Sequence, residues 1–356
     1  MKKYLKHNIP AMMLFAATLA VTSCNDWTDV ESLEMHTPTI DEVNPQLYED
    51  YLKDLNRYKS EDHKITLVSF DNPKSAPSCQ AERLTSLPDS IDYVCLNNTE
   101  VAPETLKEME AVRAKGIRSI YMIDYGEIEE NWGEMKKADP TLTEREALAY
   151  ICNYVDEKLA ICDQFGFDGI VIDYFGRSLV SLNEENLTIY KARQQAFFDK
   201  IMSWKDVHES KSLMFYGNAQ YLVPENMNML SKYDYIMLKT VMSTNGDDYT
   251  LQAYMALQAG MDAVGGNGEN PIPADRFIVA VQLPQADDKD QVKGYWSTVD
   301  AQGEKIIAAE GAALWMGKES VDFERKGMFI MDVHKDYYNK TYGYVREVIG
   351  IMNPNK

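Results

Sequence analysis

The sequence predicts a (β/α)8 barrel on three observations: its length, an alternation of short apolar runs with helical patterns, and the residues after the first run. The 356 residues suit one large domain, and 45% of them are hydrophobic, enough for a packed core. Eight β–α units typically occupy about 250 residues. An open doubly wound sheet would carry a glycine-rich phosphate turn after its first strand, whereas here that run ends Ser69-Phe70-Asp71-Asn72-Pro73.

The eight predicted strands are short runs in which β-branched and aromatic residues predominate. In chain order they are Ile65–Phe70, Tyr93–Leu96, Ile117–Ile123, Gly169–Tyr174, Ser212–Tyr216, Tyr235–Leu238, Phe277–Val281 and Met328–Val333. In a barrel of this kind the functional groups lie at the carboxyl ends of the strands. The side chains that follow these runs are therefore the first candidates for a site.

Helical patterns separate most of the predicted strands. Residues Glu104–Lys115 carry apolar side chains at steps of three, which is typical of one buried helical face. The next pattern opens with the capping box Thr143–Glu146, and Gly166 follows its end. A further helical run is predicted over Lys305–Met316, with Trp315 in the core.

The first residues indicate export and lipid attachment. Residues 1–23 combine three lysines with an apolar run too short to span a bilayer comfortably, and small residues precede Cys24. The Val-Thr-Ser-Cys ending resembles a bacterial lipobox, in which the cysteine becomes the first mature residue and carries the lipids. The alternative is an ordinary signal peptide followed by a chance cysteine.

We therefore expect three segments along the chain. They are a lipoprotein signal peptide over residues 1–23, a lipidated Cys24 with an acidic tether over 24–43, and a single barrel domain over 44–356.

The charge of the chain excludes several classes of function. Lys and Arg number 36 against 56 Asp and Glu, a net charge of −20 at pH 7. There is no surplus of cations to bind phosphates, so we expect no nucleic-acid partner. The five His are isolated and no Cys stands at ligand spacing with them, so we expect no metal site and no other cofactor.

The fourth predicted strand carries the decisive motif. Residues Asp168–Gly176 read DGIVIDYFG and resemble the Asp-Gly-x-Asp-x-Asp-x-Glu strand of glycoside hydrolase family 18, which contains chitinases and endo-β-N-acetylglucosaminidases. Side chains alternate along a strand, so the inner acids of that pattern face one barrel interior. The resemblance implies that the final Glu is the general acid, and that the Asp two residues earlier orients the N-acetyl group of the substrate, which acts as nucleophile.

Two of the four acidic positions in that motif hold apolar residues in this chain. Asp168 and Asp173 match it, whereas Val171 replaces the first inner Asp and Phe175 replaces the catalytic Glu. A phenylalanine cannot donate a proton, and a positioned general acid is worth about 10²–10⁴-fold in rate. On the sixth strand Lys239 stands where the family more often has Met or an aromatic residue. The resemblance therefore implies the fold and a sugar cleft, with a vestigial motif and no catalytic residues.

The resemblance covers roughly residues 44–356. The helix that leads into the first strand and the segment Met331–Pro354 are similar to a family 18 group among surface lipoproteins of gut Bacteroidetes. That similarity implies a lipid-anchored protein of the outer membrane, facing the cell surface. It also implies a role in polysaccharide utilisation beside an outer-membrane importer and its lid lipoprotein.

Aromatic, amide and carboxylate side chains near the predicted strand ends are the candidate sugar contacts. Rings cover the apolar faces of sugars, and amides and carboxylates bind the hydroxyls. The candidates are Tyr125, Trp132, Asp173, Tyr216, Asn218, Gln282 and Trp296. Trp132 and Trp296 are expected in loops, Tyr174 is expected to pack outward under a helix, and core packing is the alternative for each ring.

Three functions remain open at this point. The first is a non-catalytic lipoprotein that binds GlcNAc-containing glycans, N-glycan or chitin-like, for capture and uptake. The second is an active endo-β-N-acetylglucosaminidase with a displaced general acid, for which Glu100, Asp124, Glu127 and His334 are candidates, although solvated loop carboxylates are the simpler interpretation. The third is a structural surface protein.

Overall fold

Eight parallel strands close into a barrel in the computed structural model, which describes residues 40–354 and side chains from residue 42. Each barrel strand pairs with the next one along the chain, and the last pairs with the first. The predicted (β/α)8 barrel is confirmed, with every predicted strand present and its ends shifted by at most three residues. The predicted signal peptide, Cys24 and the tether up to residue 39 lie outside the described residues.

The barrel strands are β1 to β7 and β10, and β8 and β9 form a separate hairpin. In chain order the ten strands are β1 (Ile65–Phe70), β2 (Tyr93–Leu96), β3 (Arg118–Asp124), β4 (Gly169–Tyr174), β5 (Ser212–Gly217), β6 (Tyr235–Leu238), β7 (Phe277–Gln282), β8 (Tyr295–Val299), β9 (Lys305–Ile307) and β10 (Arg325–Met331).

Ten α-helices are described around these strands. They are α1 (Ile40–Val43), α2 (Pro45–Ser60), α3 (Pro103–Ala114), α4 (Tyr125–Ala138), α5 (Glu144–Gln164), α6 (Glu184–Val207), α7 (Pro224–Met227), α8 (Gly246–Ala263), α9 (Ala308–Met316) and α10 (Gly343–Met352). None of these helices has the length and hydrophobicity that a bilayer span requires.

The chain divides into two compact units, Met1–Asp50 and Tyr51–Lys356. Of the first unit the structure describes α1 and the opening turns of α2. The second unit contains the whole barrel and every group discussed below.

The predicted helical run Lys305–Met316 is wrong in its first three residues. Residues Lys305–Ile307 form β9 instead, and they pair antiparallel with β8, Tyr295 opposite Ile307 and Val299 opposite Lys305. Two adjacent β-branched isoleucines favour an extended conformation when a partner strand is available. That partner comes from a hairpin that local periodicity did not reveal.

The alternation of side chains along each strand sorts the core into two clusters. One fills the barrel interior and includes Leu67, Val171, Met214, Met237 and Phe329. The other lies between the strands and the surrounding helices. As predicted, Tyr174 is buried in this outer cluster, where its hydroxyl accepts a hydrogen bond from Gln194 Nε2 at 2.8 Å.

Three of the first six strands, β2, β4 and β6, are each preceded by an aspartate that links the strand to the one before it. Asp92, Asp168 and Asp234 stand directly before β2, β4 and β6. Each accepts a hydrogen bond from a main-chain N–H of the preceding strand, at 2.8, 2.9 and 3.1 Å respectively. These carboxylates satisfy main-chain donors at the amino-terminal end of the barrel, where the ladder begins.

Candidate functional site

The register of the central strands brings three polar side chains to one level at the carboxyl end of the barrel. Asp173 on β4 lies opposite Asp124 on β3 and opposite Tyr216 on β5. The alternation that puts Val171 and Met214 in the barrel interior also points Asp173 and Tyr216 inward. We call this end of the barrel the mouth.

An ion pair between Asp173 and Lys239 forms the floor of the mouth. Lys239 follows β6 directly and, two residues after the inward-facing Met237, lies on the interior face. Its Nζ lies 2.7 Å from Oδ1 and 2.8 Å from Oδ2 of Asp173. The same Nζ lies 3.9 Å from the centroid of the Tyr216 ring, a close cation–π contact. The amine is therefore bound by a carboxylate and a ring at once.

Burial dominates the electrostatics of this floor. The side chains of Asp173 and Lys239 are only 14% and 18% exposed. Burial raises the pKa of Asp173; the charge and hydrogen bond of Lys239 offset this only in part, and Asp124 adds to the rise. Burial, followed by the charge of Asp173, also raises the pKa of Tyr216. Removing either Asp173 or Lys239 would therefore leave the other as an unpaired buried charge, which costs free energy of folding.

Phe175 lies above this ion pair with its ring open to solvent. Its side chain is 63% exposed, and its ring centroid lies 5.7 Å from Lys239 Nζ. Asn218 Nδ2 donates to the Phe175 carbonyl at 2.8 Å, so β5 holds the backbone of the segment that follows β4. Gly176 then takes a φ of +67°, a left-handed conformation that favours glycine.

The structure brings four of the predicted glycan contacts to the mouth. Asp173 and Tyr216 form its floor, Asn218 follows β5, and Gln282 ends β7 half-buried. Tyr216 also packs edge-on against the interior ring of Phe329, at 5.5 Å between centroids. Asn218 positions the backbone of Phe175, so its amide acts through that residue.

The predicted loop position of Trp132 is wrong, and the predicted contact of Tyr125 and Trp132 with sugar stays a prediction. Both are buried on α4, a helix that the sequence interpretation placed in a loop. Tyr125 packs at 5.0 Å from Tyr174, and Trp132 lies 5.9 Å from the ring of Tyr150. The signal for this helix was present: Tyr125, Ile128 and Trp132 recur at helical spacing, directly after a capping Asp.

Trp296 lies on a strand and not in the predicted loop, and its predicted contact with sugar stays a prediction. This ring is buried on β8, where its Nε1 donates to the Tyr249 hydroxyl at 3.2 Å. It also lies against Gly311 of α9, where an added Cβ would come within 2.3 Å of the ring. Trp296 therefore packs the hairpin onto the barrel wall.

Asp168 lies at the end of β4 opposite the mouth. Its two oxygens accept hydrogen bonds from Arg113 Nε and Nη2 at 2.8 and 3.1 Å, besides the Ser119 main-chain N–H. The first Asp of the motif is thus one of the three strand-tying carboxylates, with a structural role.

The four candidates for a displaced general acid, Glu100, Asp124, Glu127 and His334, lie at different places in the structure. Glu100 is exposed and lies 3.3 Å from Lys74, and Glu127 on α4 lies 3.9 Å from Lys158. His334 lies edge-on to Phe70, and burial lowers its pKa. Of these groups, Asp124 is the one in register with Asp173, and its Oδ1 accepts the Gly126 N–H as the cap of α4.

Lys239 is a residue of the mouth that the sequence interpretation did not include among the candidate site members. Its departure from the family pattern was visible, and its interior direction follows from Met237 two residues earlier. Only the folded chain shows that it binds Asp173. Within residues 42–354, no three His, Cys, Asp or Glu side chains cluster as a metal site would require.

Comparison of the sequence with models of known protein families identifies one family. The family model described as glycoside hydrolase family 18, BT1044-like, matches residues 28–351. The chain belongs to this family. No curated protein matches it in sequence.

Solved structures of family 18 share the barrel at low sequence identity. A selenomethionine BT1044 variant superimposes with a TM-score of 0.61 at 14% identity, covering 88% of this chain and 95% of that one. An endo-β-N-acetylglucosaminidase from Cordyceps militaris gives 0.54 at 16% identity, covering 86% and 96%. A chitinase domain from Ostrinia furnacalis, solved with an N-acetylglucosamine oligomer, gives 0.51 at 11%, covering 83% and 97%. These likenesses establish the fold.

Proposed function

We propose that this family 18 protein is a lipid-anchored outer-membrane protein at the cell surface that binds GlcNAc-containing glycans without hydrolysing them. The Asp173–Lys239 ion pair carries the proposal. In the substrate-assisted reaction the Asp must be available to the N-acetyl group of the sugar. Here a single amine lies within hydrogen-bond distance of both Asp173 oxygens. Releasing the carboxylate would leave two buried charges unpaired, which typically costs several kcal/mol.

Phe175 supplies the second argument against hydrolysis. At the position of the general acid in the motif, an exposed ring can neither protonate a leaving group nor stabilise a developing positive charge as a carboxylate would. Asp124 Oδ1 accepts the Gly126 N–H in the cap of α4, so this carboxylate already has a structural role.

The same ring suits binding. Phe175 presents an apolar face beside a charged, hydrogen-bonding floor, the combination that sugars require. The glycan class is supported by relatives: the Ostrinia furnacalis domain was solved with an N-acetylglucosamine oligomer, and the Cordyceps militaris protein is an endo-β-N-acetylglucosaminidase. Capture for an importer and its lid lipoprotein is the surface role that the resemblance to surface lipoproteins of gut Bacteroidetes implies, and the Val-Thr-Ser-Cys segment that ends at Cys24 would supply the lipid anchor.

The test combines binding and turnover on the purified chain. Chito-oligosaccharides and free N-glycans are titrated by calorimetry, and N-glycoproteins are incubated with the chain and assayed for released glycan. We expect saturable binding and no release. Phe175→Ala should weaken binding roughly three- to tenfold, because an aromatic contact contributes about 0.5–1.5 kcal/mol and about 1.4 kcal/mol corresponds to a tenfold change in affinity.

A matched control is Leu314→Ala on α9, which removes a side chain of almost equal exposure, 62%, away from the mouth. It should leave affinity unchanged. Sustained release of glycan that Asp124→Asn abolishes would instead support an enzyme with a displaced acid. Failure of every glycan to bind would favour a structural protein.

A further inference from the structure

A polar cavity opens at the opposite end of the barrel from the mouth. It encloses about 550 Å³ where the barrel strands begin. Its floor consists of the opening residues of five strands, namely Ile65, Tyr93, Arg118, Ser212 and Tyr235. Three of these carry hydroxyl groups and one carries a guanidinium, so the base of the barrel is polar here.

Arg118 is the central cation of this cavity, and its hydrogen-bonding capacity is largely unused. Its Nη1 donates to the Tyr93 hydroxyl at 3.3 Å and to Ser212 Oγ at 3.4 Å, both long bonds to neutral acceptors. Among the described residues no carboxylate oxygen lies within the 4.0 Å of an ion pair with it. A guanidinium offers five N–H donors in a planar fork, so most of this fork remains open to a ligand.

Two further amines border Ser212. Lys205 Nζ donates to the carbonyls of Glu209 and Lys211 at 2.8 and 2.6 Å, and Lys211 Nζ donates to the Phe167 carbonyl. In the part of the chain described, neither amine has a carboxylate at ion-pair distance. Arg118, Lys205 and Lys211 thus line the same cavity, and none of the three has a carboxylate partner among the described residues.

Two of the five carboxylates that line the cavity have partners on the neighbouring backbone or side chain. Asp234 accepts the Leu213 N–H, and Asp275 accepts both Nε and Nη2 of Arg276. Among the lining residues, seven are Lys or Arg and five are Asp or Glu, although the chain as a whole carries a net charge of −20. Four of the seven cations pair with carboxylates, so the positive charge without such a partner lies on Arg118, Lys205 and Lys211.

We propose that this cavity binds a phosphate-class oxyanion, either free or as the phosphate group of a larger molecule. A guanidinium pairs two oxygens of such an anion side by side, and Tyr93 and Ser212 place hydroxyl donors beside it. Lys205 and Lys211 supply additional charge. The site is independent of the glycan function proposed for the mouth.

The experiment measures binding of inorganic phosphate to the unlipidated chain by calorimetry and phosphorus NMR, with sulfate as competitor. We expect saturable binding that sulfate displaces. Arg118→Gln should weaken it at least tenfold and Lys211→Gln about threefold, while Arg145→Gln, an equal charge change on the exposed face of α5, should leave it unchanged.

Vesicles distinguish the two sources of the anion. If phosphatidylcholine vesicles containing phosphatidic acid retain the wild-type chain but not Arg118→Gln, the ligand is a phosphate on a larger molecule; binding of inorganic phosphate alone identifies a free ion. The proposal is wrong if wild type binds neither, or if Arg118→Gln and Lys211→Gln, shown by circular dichroism to be folded, bind as wild type does.

Discussion

Asp173 and Lys239 depend on each other for their stability inside the barrel. Each side chain is less than one-fifth exposed, and each is the ion-pair partner of the other. A buried pair of this kind contributes little net stability compared with apolar residues, but removal of one partner leaves an uncompensated charge. Lys239 therefore holds the Asp173 carboxylate in place, and its amine offsets part of the cost of burying that carboxylate.

Lys239→Met should destabilise the fold by about 3 kcal/mol at pH 7, and by less at pH 4. Without the lysine nothing offsets burial, so the already raised pKa of Asp173 rises further. The folded variant then binds a proton more tightly than the unfolded chain, and its stability falls as pH rises through that pKa. Urea unfolding at the two pH values measures the difference.

Lys191→Met is the control, because this exposed lysine pairs with an exposed Glu225 and should cost under about 1 kcal/mol. An equal loss for Lys239→Met at both pH values would show that Asp173 does not titrate in this way.

His63 is a second residue whose charge is set by burial and one partner. Its Nε2 lies 2.9 Å from Asp92 Oδ1, before the start of β1. Burial lowers the pKa of His63, but the hydrogen bond and charge of Asp92 outweigh it, so the pKa is raised overall. The stability from this contact is therefore complete below about pH 6.5 and is lost as pH rises through the raised pKa.

His63→Gln should cost about 1–2 kcal/mol at pH 6 and less at pH 8.5. The measurement is the difference in unfolding free energy between variant and wild type across that range. His208→Gln, which removes a more exposed His beside Asp163, serves as the control with a smaller effect. A cost for His63→Gln that grows with pH would contradict the assignment.

The strands β2, β4 and β6 share a construction that explains part of the family motif. The Asp before each strand accepts a main-chain N–H from its neighbour, and Asp168 adds a two-point contact with Arg113 of α3. The Asp-Gly opening of β4 thus connects two strands and a helix. Its partner Gly169 is required by close packing, since an added Cβ would lie 2.3 Å from the Ser212 carbonyl oxygen.

Asp168→Ala should destabilise the fold by about 2 kcal/mol without changing glycan affinity. The variant loses charge-assisted bonds at the amino-terminal end of the barrel, and the mouth keeps all of its groups. Denaturant unfolding and calorimetry are run side by side, with Asp163→Ala as an exposed control expected to cost less than 1 kcal/mol. If Asp168→Ala instead lost glycan affinity while its unfolding free energy stayed unchanged, Asp168 would be a residue of the glycan site.

At the scale of the whole molecule, the two ends of the barrel differ in chemistry. The mouth combines an exposed ring with a neutralised ion pair, and the opposite cavity gathers unpaired cations. The lipobox-like segment before Cys24 further predicts that a lipid attaches the chain to a membrane. Removal of residues 1–23 takes three lysines and no acid, so the mature chain would carry a net charge of −23.

Cys24→Ser should abolish attachment to the membrane while leaving the barrel folded. Two or three acyl chains anchor a protein stably, whereas this acidic chain has no basic surface surplus to replace them. Labelling with palmitate and membrane fractionation of cells measure the effect, with Cys79→Ser as the control at an exposed cysteine. Full palmitate incorporation in Cys24→Ser would refute the lipoprotein assignment.

The sequence by itself determined the barrel and its mouth. The apolar composition of runs such as Gly169–Tyr174 and Tyr235–Leu238 predicts that they are buried strands. Because side chains alternate along a strand, the sequence also predicts which of them face the barrel interior. Asp173 at the mouth and Phe175 in place of an acid were therefore readable before any coordinates.

Only the tertiary structure decided which groups meet. Lys239 lies 66 residues from Asp173 along the chain, and their contact depends on the register of β4, β5 and β6. Trp132 and Trp296 are likewise buried by partners on other elements, α5 and α8. The periodicity of a segment predicts its secondary structure and its buried face. Which side chains cover a residue or pair with it depends on segments that are distant in sequence and become neighbours only when the chain folds.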